Sequence, residues 1–206
     1  MTVIVGSHNS MSYLPPKNLW GKITKPWGKC QSLNLYEQWK EGVRMFDIRV
    51  RMIGKTWHLV HNKVDYGKLD ISELTTILND IADKDPKLIT IRLGLDVRKT
   101  PKDEKEYTKK FIALAKLINQ MMIPNCIIDD CITFWNWKHI DFRTGCINTN
   151  APFVVELHTS VCSNWYLYLK GTKWFAKTHN EENRRMTKLN TALYELKYLL
   201  IDYVQY

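Results

Sequence analysis

Apolar and polar residues alternate at strand period in several stretches of this chain. Over 43–51, Phe46, Ile48 and Val50 point one way, while Met45, Asp47, Arg49 and Arg51 point the other. Over 88–96, Ile89, Ile91, Leu93 and Leu95 oppose Thr90, Arg92, Gly94 and Asp96. Residues 3–8 set Val3 and Val5 against Ile4, Gly6 and His8, and residues 153–159 set Val155 and Leu157 against Val154, Glu156 and His158. Close to the end, Leu199, Ile201 and Tyr203 oppose Leu200, Asp202 and Val204. One face is apolar throughout, and the other turns polar toward the C-terminal half of each strand. The short run Trp57-His-Leu-Val-His61 reads the same way and puts His58 and His61 on opposite faces.

Helical spacing fills the gaps between these strands. Asp70-Ile-Ser-Glu73 is a capping box opening Leu74, Ile77, Leu78 and Ile81 on one helical face, and Asp85-Pro86 should end that helix. A second helix is expected over about 104–122, with Phe111, Leu114, Ala115 and Ile118 inward, and a third over about 181–197. Strands alternating with helices imply βαβ units and a parallel sheet. Polar groups gathered at strand C-termini fit an α/β fold of the compact (β/α)8 TIM-barrel type, with the active site on that face. The chain is short for eight full units, so some helices must be lost or replaced by loops. An open doubly wound sheet would need a phosphate-binding glycine loop after a strand, and the sequence has none.

Composition narrows the picture. The 206 residues, 45% hydrophobic and 12% aromatic, suffice for one sizeable core, so a single domain over 1–206 is expected. The start has an apolar run too short for a signal sequence, and no stretch approaches the ~20 apolar residues of a membrane span. Five cysteines at irregular spacing, with no C-x-x-C pair, suggest buried reduced thiols and a cytoplasmic setting rather than disulfides or zinc. Cys126 and Cys131 are expected in the core. The net charge of +9 favours polyanionic partners, either nucleic acid or an anionic membrane face.

Candidate chemistry sits at the strand ends. His8 closes the first strand, Asp47 and Arg49 lie on one face of the next, and His61 ends the third. Two imidazoles and a guanidinium are the parts that metal-free phosphodiester cleavage requires. Asp47, two residues from Arg49, is placed to fix the guanidinium, or to form a buried salt bridge with it.

Three ordered motifs carry a resemblance: Gly6-Ser-His-Asn-Ser10, Gly42-Val-Arg-Met-Phe-Asp-Ile-Arg49 and the downstream His61. With Leu69-Asp-Ile-Ser-Glu-Leu74 and Asp85-Pro-Lys-Leu-Ile-Thr-Ile-Arg92, they resemble the X-domain of phosphatidylinositol-specific phospholipase C over about the first 95 residues, and 199–203 resembles that family's closing strand. The resemblance implies His8 as general base, His61 as general acid, Arg49 on the phosphate and Asp202 supporting the base. It places Arg49 and Arg92 where calcium-dependent relatives carry acidic ligands. A divalent cation beside two arginines would be repelled, so no metal and no cofactor are expected. Asn9 stands where the bacterial members have aspartate, and Asn62 where the family has glycine. Asn9, Arg92, Glu156, His158 and Tyr166 are the candidates for substrate contact.

Residues 17–29 follow the first strand and are read as a loop on the active-site rim. Trp20 and Trp27 among Lys17, Lys22, Lys25 and Lys29 suit an anionic lipid interface, or an ordinary lid. A nucleic-acid stacking platform would need aromatics on a rigid sheet face, so no nucleic acid is expected. The expected function is a monomeric, peripherally membrane-associated, metal-independent phosphodiesterase acting on a phospholipid. Alternatives are the same mechanism on a soluble or glycan-linked phosphodiester, or a catalytically dead barrel that binds lipids or anions.

Overall fold

The computed structural model describes residues 4–97, 103–124, 126–134, 145–146, 154–155, 181 and 198–201. Its strands are β1 (Ile4–Ser7), β2 (Met45–Ile53), β3 (Thr56–His61), β4 (Val64–Lys68), β5 (Ile89–Val97), β6 (Cys126–Phe134), β7 (Gly145–Cys146), β8 (Val154–Val155) and β9 (Tyr198–Ile201). The helices are α1 (Leu19–Gly28), α2 (Leu35–Lys40), α3 (Ile71–Lys84) and α4 (Glu104–Met121). The sheet runs β7-β6-β5-β2-β1-β9-β8, parallel from β6 through β8 and antiparallel at β7.

The alternation expected for β2 and β5 becomes cross-strand layers. Register pairs Phe46 with Ile91, Ile48 with Leu93 and Val50 with Leu95. All six are fully buried and belong to the core. On the opposite face the same register sets Asp47 beside Arg92 and Arg49 beside Gly94. Period-two geometry thus sorts the core from the chemistry.

Helix α3 begins as expected: Oδ1 of Asp70 accepts the Glu73 backbone N–H at 2.9 Å. Helix α4 opens likewise, with Asp103 accepting from the Glu106 backbone N–H at 2.9 Å. Leu74, Leu78 and Ile81 of α3, and Phe111, Leu114, Ala115 and Ile118 of α4, are buried in the same core cluster. Helix α2 is a short element that the sequence reading does not anticipate, although Asn34 and Glu37 build a reciprocal capping box at its start. The helix expected over 181–197 lies outside the described residues, apart from Glu181.

His61 ends the third strand as expected, and that strand stands outside the parallel run: β3 is antiparallel to β2 and to β4, so β2, β3 and β4 form an antiparallel excursion. Trp57 anchors it, stacking edge-on to Tyr107 and Phe111 with ring centroids 5.9 and 6.2 Å away. Residues 17–29 are not a loop, because most of them form α1. Asn18 starts that helix by accepting the Gly21 backbone N–H at 3.0 Å, and it ties the helix to the hairpin by donating to the Lys63 carbonyl at 2.8 Å. Gly21 suits this close approach, since a Cβ there would come within 2.8 Å of Pro16 Cβ.

Candidate active site

His8 leaves β1 directly into a compact turn. Asn9 takes a left-handed backbone conformation with φ +43, which asparagine tolerates better than most side chains. Ser7 and Ser10 share a hydroxyl–hydroxyl bond of 2.6 Å, and the Ser12 amide donates to the Asn9 carbonyl at 2.9 Å. This turn is fastened to β2 at two points. The Asn9 backbone N–H donates to Oδ2 of Asp47 at 3.0 Å, and the Ser10 N–H donates to the Asp47 carbonyl at 2.7 Å.

Asp47 therefore joins the His8 turn to the cationic side chains. Its Oδ2 accepts Nε–H of Arg49 at 2.8 Å, and its Oδ1 is 3.6 Å from Nη1 of Arg92. The carboxylate is only 1% exposed, a burial that an ion needs partners to sustain. Arg92 is buried as well, whereas Arg49 keeps part of its surface open. Asp47 thus fixes a guanidinium and also makes a buried ion pair, so the two sequence readings of it coincide.

His61 reaches the site from the tip of the β3–β4 hairpin. Asn62 opens the turn with φ +53, doing with an asparagine what a glycine does more freely. Its N–H donates to Oδ2 of Asp96 at 2.8 Å, and its carbonyl accepts from Nη1 of Arg51 at 2.8 Å. These bonds pin the tip to the ends of β5 and β2. The His8 and His61 rings meet edge to face, with centroids 5.4 Å apart. His58 turns away and pairs with Asp65 at 3.0 Å, in keeping with its opposite strand face.

A third side chain enters here that sequence reasoning read only as one of the buried thiols. Cys30, after α1, is 6% exposed and places Sγ 3.8 Å from Nδ1 of His61. Ser12 Oγ accepts from the Cys30 and Gln31 backbone amides at 3.0 and 2.8 Å, and Gln31 Nε2 donates to the His8 carbonyl at 3.1 Å. No spacing or motif marks Cys30, because its approach to His61 depends on two separate loops.

The remaining candidates divide. The Asn9 side chain is 1% exposed, and neither its oxygen nor its nitrogen has a hydrogen-bond partner among the described residues. Trp20 and Lys22 are exposed on α1, with Lys63 Nζ 5.6 Å from the Trp20 ring centroid. Lys25 and Trp27 belong to the same helix, but their side chains lie outside the described residues, as do those of Cys126 and Cys131. Glu156, His158, Tyr166 and Asp202 also lie outside them. Ile201, just before Asp202, is in register with Ser7, just before His8.

No protein-family model and no curated sequence matches the chain. Solved structures do. Phosphatidylinositol-specific phospholipase C from Listeria monocytogenes superposes with a TM-score of 0.56 at 17% identity, over 97% of this chain and 87% of that one. A pentafluoro-Phe form of the Staphylococcus aureus enzyme gives 0.55 at 17% identity, over 98% and 86% of the two chains. A structure addressing modulation of that enzyme's membrane binding gives 0.54 at 17% identity, over 98% and 86%. The chain therefore has the fold of the bacterial phosphatidylinositol-specific phospholipases C, as its strand-end motifs led one to expect.

Proposed function

We propose that this protein is a metal-independent phosphodiesterase of the phosphatidylinositol phospholipase C kind, a single domain whose sheet closes into a compact (β/α) barrel. The observation that carries the reading is the edge-to-face pair of His8 and His61, 5.4 Å apart, beside an Arg49 held by Asp47. Neutral imidazole accepts a proton and imidazolium donates one, so two histidines on one phosphate can share both roles.

In the proposed reaction His8 takes the proton from the inositol hydroxyl next to the phosphate. The oxygen attacks phosphorus, forming a cyclic phosphodiester, and the bond to the diacylglycerol oxygen breaks. His61 gives that leaving oxygen its proton. Arg49, oriented through Nε by Asp47, holds the non-bridging oxygens and balances the charge that builds on them. Asp202 supports the base in this scheme, and Asn9, Arg92, Glu156, His158 and Tyr166 are assigned to substrate contact.

The substrate class follows from α1. Leu19, Trp20 and Ile23 are 72%, 62% and 56% exposed, and this apolar cluster beside Lys22 suits contact with an anionic bilayer surface. No helix among the described residues is long and apolar enough to cross a membrane, so the proposed contact is peripheral.

The test is release of cyclic inositol phosphate from phosphatidylinositol vesicles in the presence of EDTA. Turnover should persist with the chelator and fall by about 10²–10⁴-fold in His8→Ala and in His61→Ala. Activity abolished by EDTA would contradict the metal-free mechanism. Turnover on soluble or glycan-linked phosphodiesters alone would shift the substrate, and binding without turnover would mark a dead barrel.

A further inference from the structure

His8, Cys30 and His61 converge from three separate segments: the end of β1, the stretch after α1 and the hairpin tip. One donor atom from each lies within 4.8 Å of the other two. General acid–base cleavage needs both imidazoles and gives the thiol no role. Metal ligation does give it one. At a tetrahedral ion, bonds of ~2.3 Å to sulfur and ~2.0 Å to nitrogen hold the two ligand atoms about 3.5 Å apart. The Cys30 Sγ to His61 Nδ1 separation of 3.8 Å already approximates that edge.

We infer that His8, Cys30 and His61 bind a thiophilic divalent cation of the zinc class, and that the bound ion shuts off phosphodiester cleavage. The shut-off rests on the function proposed above, but the binding does not. One sulfur and two imidazole nitrogens are borderline-to-soft donors, which select zinc over calcium or magnesium. The repulsion argued against calcium is offset in part here, since Asp47 lies between Arg49 and Arg92 and the Cys30 thiolate adds a negative charge to the ion's own ligand set. On binding, the thiol proton passes to solvent and the sulfur lone pair forms the metal bond, while each neutral imidazole donates one nitrogen lone pair. Those nitrogen lone pairs are then no longer available to take or return a proton. His8 and His61 are each partly exposed, and the bonds from Ser12 and Gln31 preset the backbone around Cys30 and His8.

The experiment titrates the whole, reduced, chelator-stripped protein with cobalt(II) as a spectroscopic probe and then with zinc. One equivalent of cobalt should produce thiolate-to-cobalt charge-transfer absorption that zinc displaces. Cys30→Ser should lose that band and bind zinc at least about tenfold more weakly, the smallest loss expected when a ligand atom is replaced. His61→Gln serves as a second ligand variant should the cysteine variant fail to fold, and circular dichroism checks both. The same samples are assayed on phosphatidylinositol vesicles, where equimolar zinc should suppress turnover and EDTA restore it. Absence of the thiolate band overturns the site whether or not the protein cleaves lipid. The band together with zinc-insensitive or zinc-stimulated turnover overturns the shut-off. No turnover with or without EDTA defeats the phosphodiesterase reading and the shut-off together, and the spectrum still decides the site.

Discussion

Asn9 combines two costs that a purely structural residue would avoid. Its backbone is left-handed at φ +43, and its buried amide lacks a hydrogen-bond partner among the described residues. An unsatisfied buried polar group costs about 1–3 kcal/mol, and such outliers gather where function maintains them. Asn9→Gly keeps the backbone conformation and removes the amide, so folding stability should stay within about 1 kcal/mol of the parent by urea unfolding. On the proposed reading, cleavage of phosphatidylinositol should drop by about tenfold or more, because Asn9 is assigned there to substrate contact. Undiminished turnover would remove Asn9 from the reaction. That Asn9 follows the first strand was legible in the sequence, but the lack of a partner for its amide was not. What surrounds a side chain depends on segments far along the chain, as Asp47 shows by binding the Asn9 backbone from 38 residues away.

At the scale of elements, Asp85 secures the junction of α2, α3 and the entry to β2. It is 4% exposed, pairs with Nε of Arg44 at 2.6 Å, and accepts from the Trp39 indole N–H and from the Lys87 backbone N–H. Burial by itself would raise the carboxyl, but the bonds from Trp39 and Lys87 and the charge of Arg44 outweigh it and hold the group below the usual carboxylate range. A folded-state value below the unfolded one contributes stability that is present above the unfolded pKa and is lost as pH falls through the folded one. Asp85→Asn should therefore cost about 1–3 kcal/mol in urea unfolding at pH 7. The deficit should shrink as the pH falls below about 4, where the unfolded chain takes up a proton that the folded carboxylate resists. A deficit that stays constant as the pH falls would assign the effect to packing alone. Helices α3 and α4 were readable because caps and apolar spacing are local. Helix α1 was not, since Pro26, Gly21 and Gly28 mimic loop composition and its anchor, Lys63, lies on a distant hairpin.

Across the whole molecule, a net charge of +9 and one helix bearing exposed Leu19, Trp20 and Ile23 point the same way. Replacing Trp20 and Ile23 together by alanine should weaken sedimentation with anionic vesicles by roughly 10–100-fold, in line with the loss of about 1–3 kcal/mol of apolar contact. Raising the salt should weaken the parent's binding too, because screening reduces the lysine contribution. Binding indifferent to both changes would remove α1 and its lysines from the proposed membrane contact. The sequence by itself determined which residues face the core, where α3 and α4 begin, and that Asp47 and Arg49 share a strand face. Those properties follow from backbone periodicity and from caps three residues away. Only the tertiary structure decided that β1 lies between β2 and β9, that His61 arrives on a hairpin, and that Cys30 stands against it. The first and the last of these join residues tens of positions or more apart, and their geometry is set by register, loop closure and packing, which no local pattern encodes.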